Sequence, residues 1–229
     1  MNGSPFETLR IALAVSILAG CSSVLAPQPD PSRFFALSAT TGASSEGSMQ
    51  NAAATAGLTY GVGPVRIPNY LDRNEICVRL TASELAYTPN DRWAEPLRNS
   101  IPTVLAQDLA RQLGQGHVVI YPWLGEKVDY QIEVDVLRFE PSTDGKSYLT
   151  ARWVVRKGAD GRTVVARESS YAQDAASKNT SASVEALSAT LDELGREIAA
   201  SLGSLPQSGA STPPERRADT RSSSQPRRP

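Results

Sequence analysis

Apolar residues recur along this chain with two periods, and the places where the period changes mark the elements. An apolar run, Ile11 to Ala19, broken only by Ser16, stands behind a start that carries Arg10. The run is too short to span a bilayer, which takes about 20 residues. Strand-like segments follow. Arg33 to Leu37 reads as a first strand, and Leu58 to Val65 as a second, edge or bulged because Gly61-Val62-Gly63-Pro64 includes a residue that cannot donate to a ladder. Pro68 to Asp72 is a turn, and Asn74 to Leu80 with Ser83 to Tyr87 forms a short hairpin.

The period then changes to helical. Leu97, Ile101, Leu105, Leu109 and Leu113 repeat every four residues with Val104 beside them, giving one apolar helix face. Asp91 is placed to cap its start, Glu95 suits its first turn, and Gly114 ends it. Pro102 is expected to kink this helix unless Ser100 caps a restart. Strict alternation returns after His117 to Tyr121. Tyr130, Ile132, Val134 and Val136 alternate with polar partners. Leu149, Ala151, Trp153 and Val155 do the same after the Asp144-Gly145 turn, and Arg162 to Tyr171 completes a three-stranded meander. Ser183 opens a second helix with Val184, Leu187, Leu191, Leu194 and Ile198 on one face, and Gly203 follows it. The sum is an α+β fold: one domain, a mixed and largely antiparallel sheet, and two amphipathic helices packed on it. No internal repeat is visible.

Composition divides the chain around that domain. Residues 40–57 are rich in Gly, Ala, Ser and Thr and read as a loop; 22–32 are Pro-rich and read as an extended tether; 203–229 are rich in Pro, Ser and Arg. The net charge of −1 gives no footprint for nucleic acid. Of two cysteines, Cys21 follows Leu18-Ala19-Gly20 and Cys77 lies in Ile76-Cys77-Val78, where a buried strand thiol is expected. A charged start, a short apolar core and small residues before a cysteine resemble the bacterial lipobox. That resemblance implies that residues 1–20 are removed and that Cys21 is lipidated. Ser22 in place of Asp after the cysteine favours the outer membrane, periplasmic face.

Candidate chemistry is sparse. The single histidine, His117, has no Gly-x-Ser-x-Gly near it, no Cys/His cluster for a metal exists, and no phosphate-binding glycine loop is present. Glu133 and Asp135 share a strand face, which a carboxylate hydrolase could use and which a solvated sheet face explains better.

A set of short words in fixed order carries more. Phe34-Phe35-Ala36-Leu37-Ser38 comes first, then Gly63-Pro64-Val65-Arg66-Ile67-Pro68-Asn69-Tyr70-Leu71-Asp72-Arg73, then Asp91-Arg92-Trp93-Ala94-Glu95-Pro96-Leu97. Tyr121-Pro122-Trp123, Arg138-Phe139-Glu140 and Ala151-Arg152-Trp153 follow. Together they resemble the auxiliary lipoproteins of ABC-type intermembrane transport, the PqiC/YmbA family, over residues 21 to 200. The resemblance implies a domain over 33–202 between the lipidated Cys21 with its tether (21–32) and the tail (203–229). It implies no enzymatic activity and no cofactor. It implies partnership with an MCE-domain periplasmic protein and its inner-membrane transporter, homo-oligomers, and contact with phospholipid. Tyr70, Arg73, Arg92 and Trp93 are the candidate partner-binding residues; a packed turn–helix junction is the competing account of all four, and of Trp93 above all. A lipoprotein that binds a cell-wall synthase or envelope assembly machine is the alternative function. Five arginines against one Glu and one Asp in residues 215–229 would suit anionic wall or lipid groups.

Overall fold

The computed structural model describes residues 29–40, 56–114 and 116–205. The signal, Cys21, most of the tether, the centre of the 40–57 loop and nearly all of the tail lie outside the described residues. Among the described residues, eight strands and two helices follow in the order β1 (Arg33–Phe35), β2 (Thr59–Arg66), β3 (Glu75–Arg79), β4 (Leu85–Trp93), α1 (Leu97–Leu113), β5 (His117–Ile120), β6 (Tyr130–Pro141), β7 (Lys146–Lys157), β8 (Thr163–Asp174) and α2 (Thr180–Gly203). A 3₁₀ turn, Asn69–Leu71, joins β2 to β3. The fold is α+β, as the patterning predicts.

The strands divide into two sheets. A three-stranded sheet has the order β1-β4-β3 and a five-stranded sheet the order β5-β2-β6-β7-β8. β6, β7 and β8 form the antiparallel meander, while β2 runs parallel to both β5 and β6. Ile132, Val134 and Val136 of β6 and Leu149, Ala151, Trp153 and Val155 of β7 point to one face and are buried there. Both helices cover that face, α1 over β2 and β5 and α2 over β6, β7 and β8. The repeat read in α1 is its buried face: Leu97, Ile101, Val104, Leu105, Leu109 and Leu113 are all in the core.

Of the two readings of β2 the bulged one holds: β2 is an inner strand with a register shift between Val62 and Val65, so the missing N–H of Pro64 falls where the ladder is already broken. Four local expectations are corrected. Asp91 does not cap α1. β4 continues through it because β1 pairs there, Arg33 opposite Asp91, and the two side chains form a bidentate ion pair at 2.8 and 2.9 Å. The cap position falls to Pro96, which brings no side-chain bond, and no acidic residue stands in the first turn, so Glu95 precedes the helix. Ser100 caps no restart: α1 runs unbroken through Pro102, whose lost hydrogen bond, about 3 kcal/mol in a helix interior, is outweighed by the continuous apolar face. Finally, α2 starts at Thr180, where Asn179 accepts the Ala182 N–H at 2.9 Å.

Candidate partner-docking face

The turn after β2 is built from its buried end outward. Leu71 is buried and fixes the 3₁₀ turn, leaving Tyr70 half-buried beside it. The Tyr70 hydroxyl donates to Glu140 Oε2 at 2.8 Å. Glu140 is 0% exposed and also accepts from Arg79 Nε at 2.7 Å, Arg138 Nε at 2.8 Å and the Phe139 N–H at 3.1 Å. Burial, then the bond to Glu140, pushes the Tyr70 phenol well above its ordinary value. A buried carboxylate is tolerated where its lone pairs are filled and its charge is matched, and here three elements supply the partners. The turn is thereby riveted to the larger sheet.

The outward side of the same turn is an open cleft of about 660 Å³, lined among others by Asn69, Tyr70, Arg73, Glu75 and Tyr87. Tyr87 donates its hydroxyl to the Tyr70 carbonyl at 3.1 Å, and the Arg73 guanidinium lies 4.7 Å from the Tyr87 ring centre. Arg92 Nη1 donates to Glu75 Oε1 at 3.0 Å, and the Trp93 N–H donates to the Asn74 carbonyl at 2.7 Å. A backbone hydrogen bond at Glu75 itself, opposed by burial and joined by Arg92, holds the Glu75 carboxyl below its usual range.

The four residues singled out in the sequence are thus brought to one turn, and they divide there. Arg73 is exposed, Arg92 is half-buried, Tyr70 reaches inward through its ring, and Trp93 is buried at 6% exposure in the core. Sequence reading missed Phe34. It pairs with Arg92 across β1 and β4, and Arg92 pairs with Glu75 across β4 and β3, so Phe34, Arg92 and Glu75 form a row over three strands. Phe34 is 65% exposed. Strand alternation says that one of Phe34 and Phe35 faces outward, but not which one. Aromatic rings and arginines side by side on a rigid sheet are the composition of a protein-binding surface.

The other candidates do not converge. Glu133 pairs with Arg156 and Asp135 with Arg66, each carboxylate having its own cation. His117 lies exposed, 3.6 Å from Glu126. Among the described residues no group of three or more His, Cys, Asp or Glu is placed to hold a metal ion, and no helix is long and apolar enough to cross a membrane. Cys77 is buried as expected, and burial pushes its thiol up to about 11.

The turn after β2 and the smaller sheet are thus held to the larger sheet through Glu140, and comparison with known proteins says what kind of protein carries this arrangement. The chain belongs to the family of ABC-type transport auxiliary lipoprotein components, whose model matches residues 39–199. The intermembrane transport lipoprotein PqiC of Escherichia coli (strain K12) is 28% identical over 106 residues, which are 46% of this chain and 56% of PqiC; the Shigella flexneri protein of the same name matches equally. The chain therefore spans little more than half the length of these relatives. A crystal structure of an uncharacterized protein shares the fold with a TM-score of 0.62 at 19% identity, over 75% of this chain and 98% of that one. A Xanthomonas campestris protein does so with a TM-score of 0.60 at 18% identity, over 73% and 93%.

Proposed function

We propose that this is an outer-membrane lipoprotein of the periplasmic face, a non-enzymatic accessory of an ABC/MCE-type intermembrane lipid transport system. On this reading residues 1–20 are the cleaved signal, Cys21 carries the lipid and the domain that follows works as a homo-oligomer. It docks the outer-membrane end of the conduit formed by an MCE-domain periplasmic protein, which in turn meets the inner-membrane transporter. The observation that carries the docking role is the row of Phe34, Arg92 and Glu75 beside the Arg73–Tyr87 cleft: an exposed aromatic ring and guanidinium groups on paired strands, next to a turn anchored through Glu140. Family membership supports the transport setting.

The test is affinity purification of the full chain from gently solubilised envelopes, with mass spectrometry of proteins and lipids. The wild type is expected to bring down an MCE-domain protein and its membrane partner, and the Phe34→Ala plus Arg73→Glu variant to lose both. Recovery of a cell-wall synthase with no MCE protein would sink this reading.

A further inference from the structure

The loop between β5 and β6 carries the most exposed apolar tip of the described residues. Leu124 is 93% exposed and Tyr121 54%. From Ile120 to Gly125 there is no charge. The tip is built rather than slack. The Tyr121 and Trp123 rings meet edge to face, with centroids 5.3 Å apart at 82°. Trp123 lies against the backbone of Gly61, where a Cβ would come within 2.8 Å of its ring, and Tyr121 lies against Gly63, where a Cβ would come within 2.7 Å. Leu124 holds a left-handed φ of +40°, an uncommon place for an apolar L-residue, and this turns its side chain out of the fold. Among the described residues neither the indole N–H of Trp123 nor the hydroxyl of Tyr121 has a hydrogen-bond partner.

We infer that the Tyr121–Trp123–Leu124 tip is a second membrane contact, which seats its apolar side chains among the headgroups and upper acyl chains of a phospholipid bilayer. The inference rests on the reading of the chain as a membrane-anchored lipoprotein. Trp and Tyr with free polar ends, capped by a bare leucine, are the side chains that partition to a bilayer interface. A protein partner fits less well. Three side chains on one projecting loop offer far less than the about 800 Å² per partner of a stable interface, whereas shallow insertion needs only such a tip. Reach is not limiting. The described chain begins at Pro29, eight residues after Cys21. The chain from Cys21 to Ser32 can span at most about 40 Å at about 3.3–3.6 Å per residue, the size of the domain itself. One lipid anchor at Cys21 fixes no orientation of the domain; a second contact would fix it on the membrane and so fix where the proposed partner face points.

Tryptophan emission reads this directly, because Trp93 and Trp153 are buried at 6% and 1% exposure. The chain from Ser22 onward, carrying a hexahistidine tag in place of Cys21, is held on nickel-chelating vesicles of phosphatidylethanolamine and phosphatidylglycerol brominated in their acyl chains. This holds the protein at the surface whether or not Cys21 is lipidated in the cell, and needs no transport partner. The expected result is a blue shift and quenching of emission on these vesicles, abolished by Trp123→Phe and strongly reduced by Leu124→Asp. Unchanged emission of the membrane-held wild type would overturn the inference. So would quenching that survives Trp123→Phe, or a blue shift that needs no vesicles and grows with protein concentration, which would give the tip to a second copy of the chain.

Discussion

The hydroxyl of Tyr70 and the carboxylate of Glu140 meet at 2.8 Å, seventy residues apart in sequence, and that bond joins the proposed partner face to the core. Glu140 holds four donors at once, from the 3₁₀ turn, β3 and β6. Removing the carboxylate leaves Arg79 and Arg138 half-buried without their common anion. Glu140→Ala is expected to lower unfolding free energy by about 3–5 kcal/mol in urea titration. Tyr70→Phe removes one bond to a charged group and is expected to lose about 1.5–3 kcal/mol. A Glu140→Ala variant as stable as the wild type would mean that the carboxylate does not join the two sheets.

Surface residues of the same face behave oppositely. Phe34 and Arg73 are exposed and hold nothing in the core, so Phe34→Ala and Arg73→Glu are expected to stay within about 0.5 kcal/mol of wild-type stability. Binding to a partner docked there is expected to weaken by about tenfold or more for each. Thermal melts and titration calorimetry with the purified partner separate the two effects.

Gly63 combines a φ of +124° with a would-be Cβ only 2.7 Å from the Cβ of Tyr121. Gly63→Ala is expected to lose about 1–3 kcal/mol from backbone strain alone, with more from displacing Tyr121. Gly61 has no left-handed φ, and the nearest atoms to its would-be Cβ are side-chain atoms of Trp123 and Val128. Gly61→Ala is therefore expected to move the ring with a smaller loss. Denaturant melts of the two variants should rank in that order.

Cys77 tests burial through pH. Its folded thiol titrates near 11 against an ordinary value of 9.0, because burial opposes the thiolate. A raised folded value means that the unfolded chain loses its proton first. The stability this group contributes is full below about pH 9 and falls as pH rises through 11, by about 2–3 kcal/mol at about 1.4 kcal/mol per pH unit. Cys77→Ala is expected to flatten that part of the alkaline unfolding curve, and native Cys77 to resist iodoacetamide at pH 8 until urea exposes it. Rapid native alkylation would contradict a buried thiol.

What the sequence discloses is what depends on near neighbours. The four-residue repeat of α1 and the alternation of β6 and β7 each report burial along one element, and each is the buried face found. Asp91 looks like a helix cap because Leu97 begins a helical period six residues later. What makes it a strand residue is Arg33, 58 positions upstream, which no local pattern contains. The burial of Glu140 follows from Arg79 and Tyr70, both far away in sequence and outside any local pattern. Tyr70, Arg73, Arg92 and Trp93 were legible as a group through their ordered motifs, and the structure adds which of them face outward.

Asp108 and Asp192 give a last and opposite pH signature. Arg111 of α1 bonds both Asp108 and Asp192 of α2, and Asp108 also accepts the Thr40 N–H at 3.3 Å. Asp108 is fully buried, and its second oxygen has no hydrogen-bond partner. Burial is the largest influence on it and outweighs Arg111, so its carboxyl titrates above the ordinary value of 3.8. Burial also works to raise Asp192, but Arg196 and Arg111 overcome it and hold that carboxyl low. The signs then differ. What Asp108 contributes is full below about pH 4 and is lost as pH rises through its folded value; what Asp192 contributes is present above about pH 4 and is lost as pH falls through its own. Asp108→Asn removes a buried charge while keeping an acceptor for Thr40. It is expected to match or exceed wild-type stability at pH 7 and to be less stable relative to wild type at pH 4. Arg111→Met leaves two carboxylates without their shared cation and is expected to lose about 3–5 kcal/mol at pH 7 and less at pH 4, where protonation relieves them. Urea melts of both variants at the two pH values decide it. An Asp108→Asn variant much weaker than wild type at pH 7 would show that the Arg111 ion pair outweighs the burial of the charge.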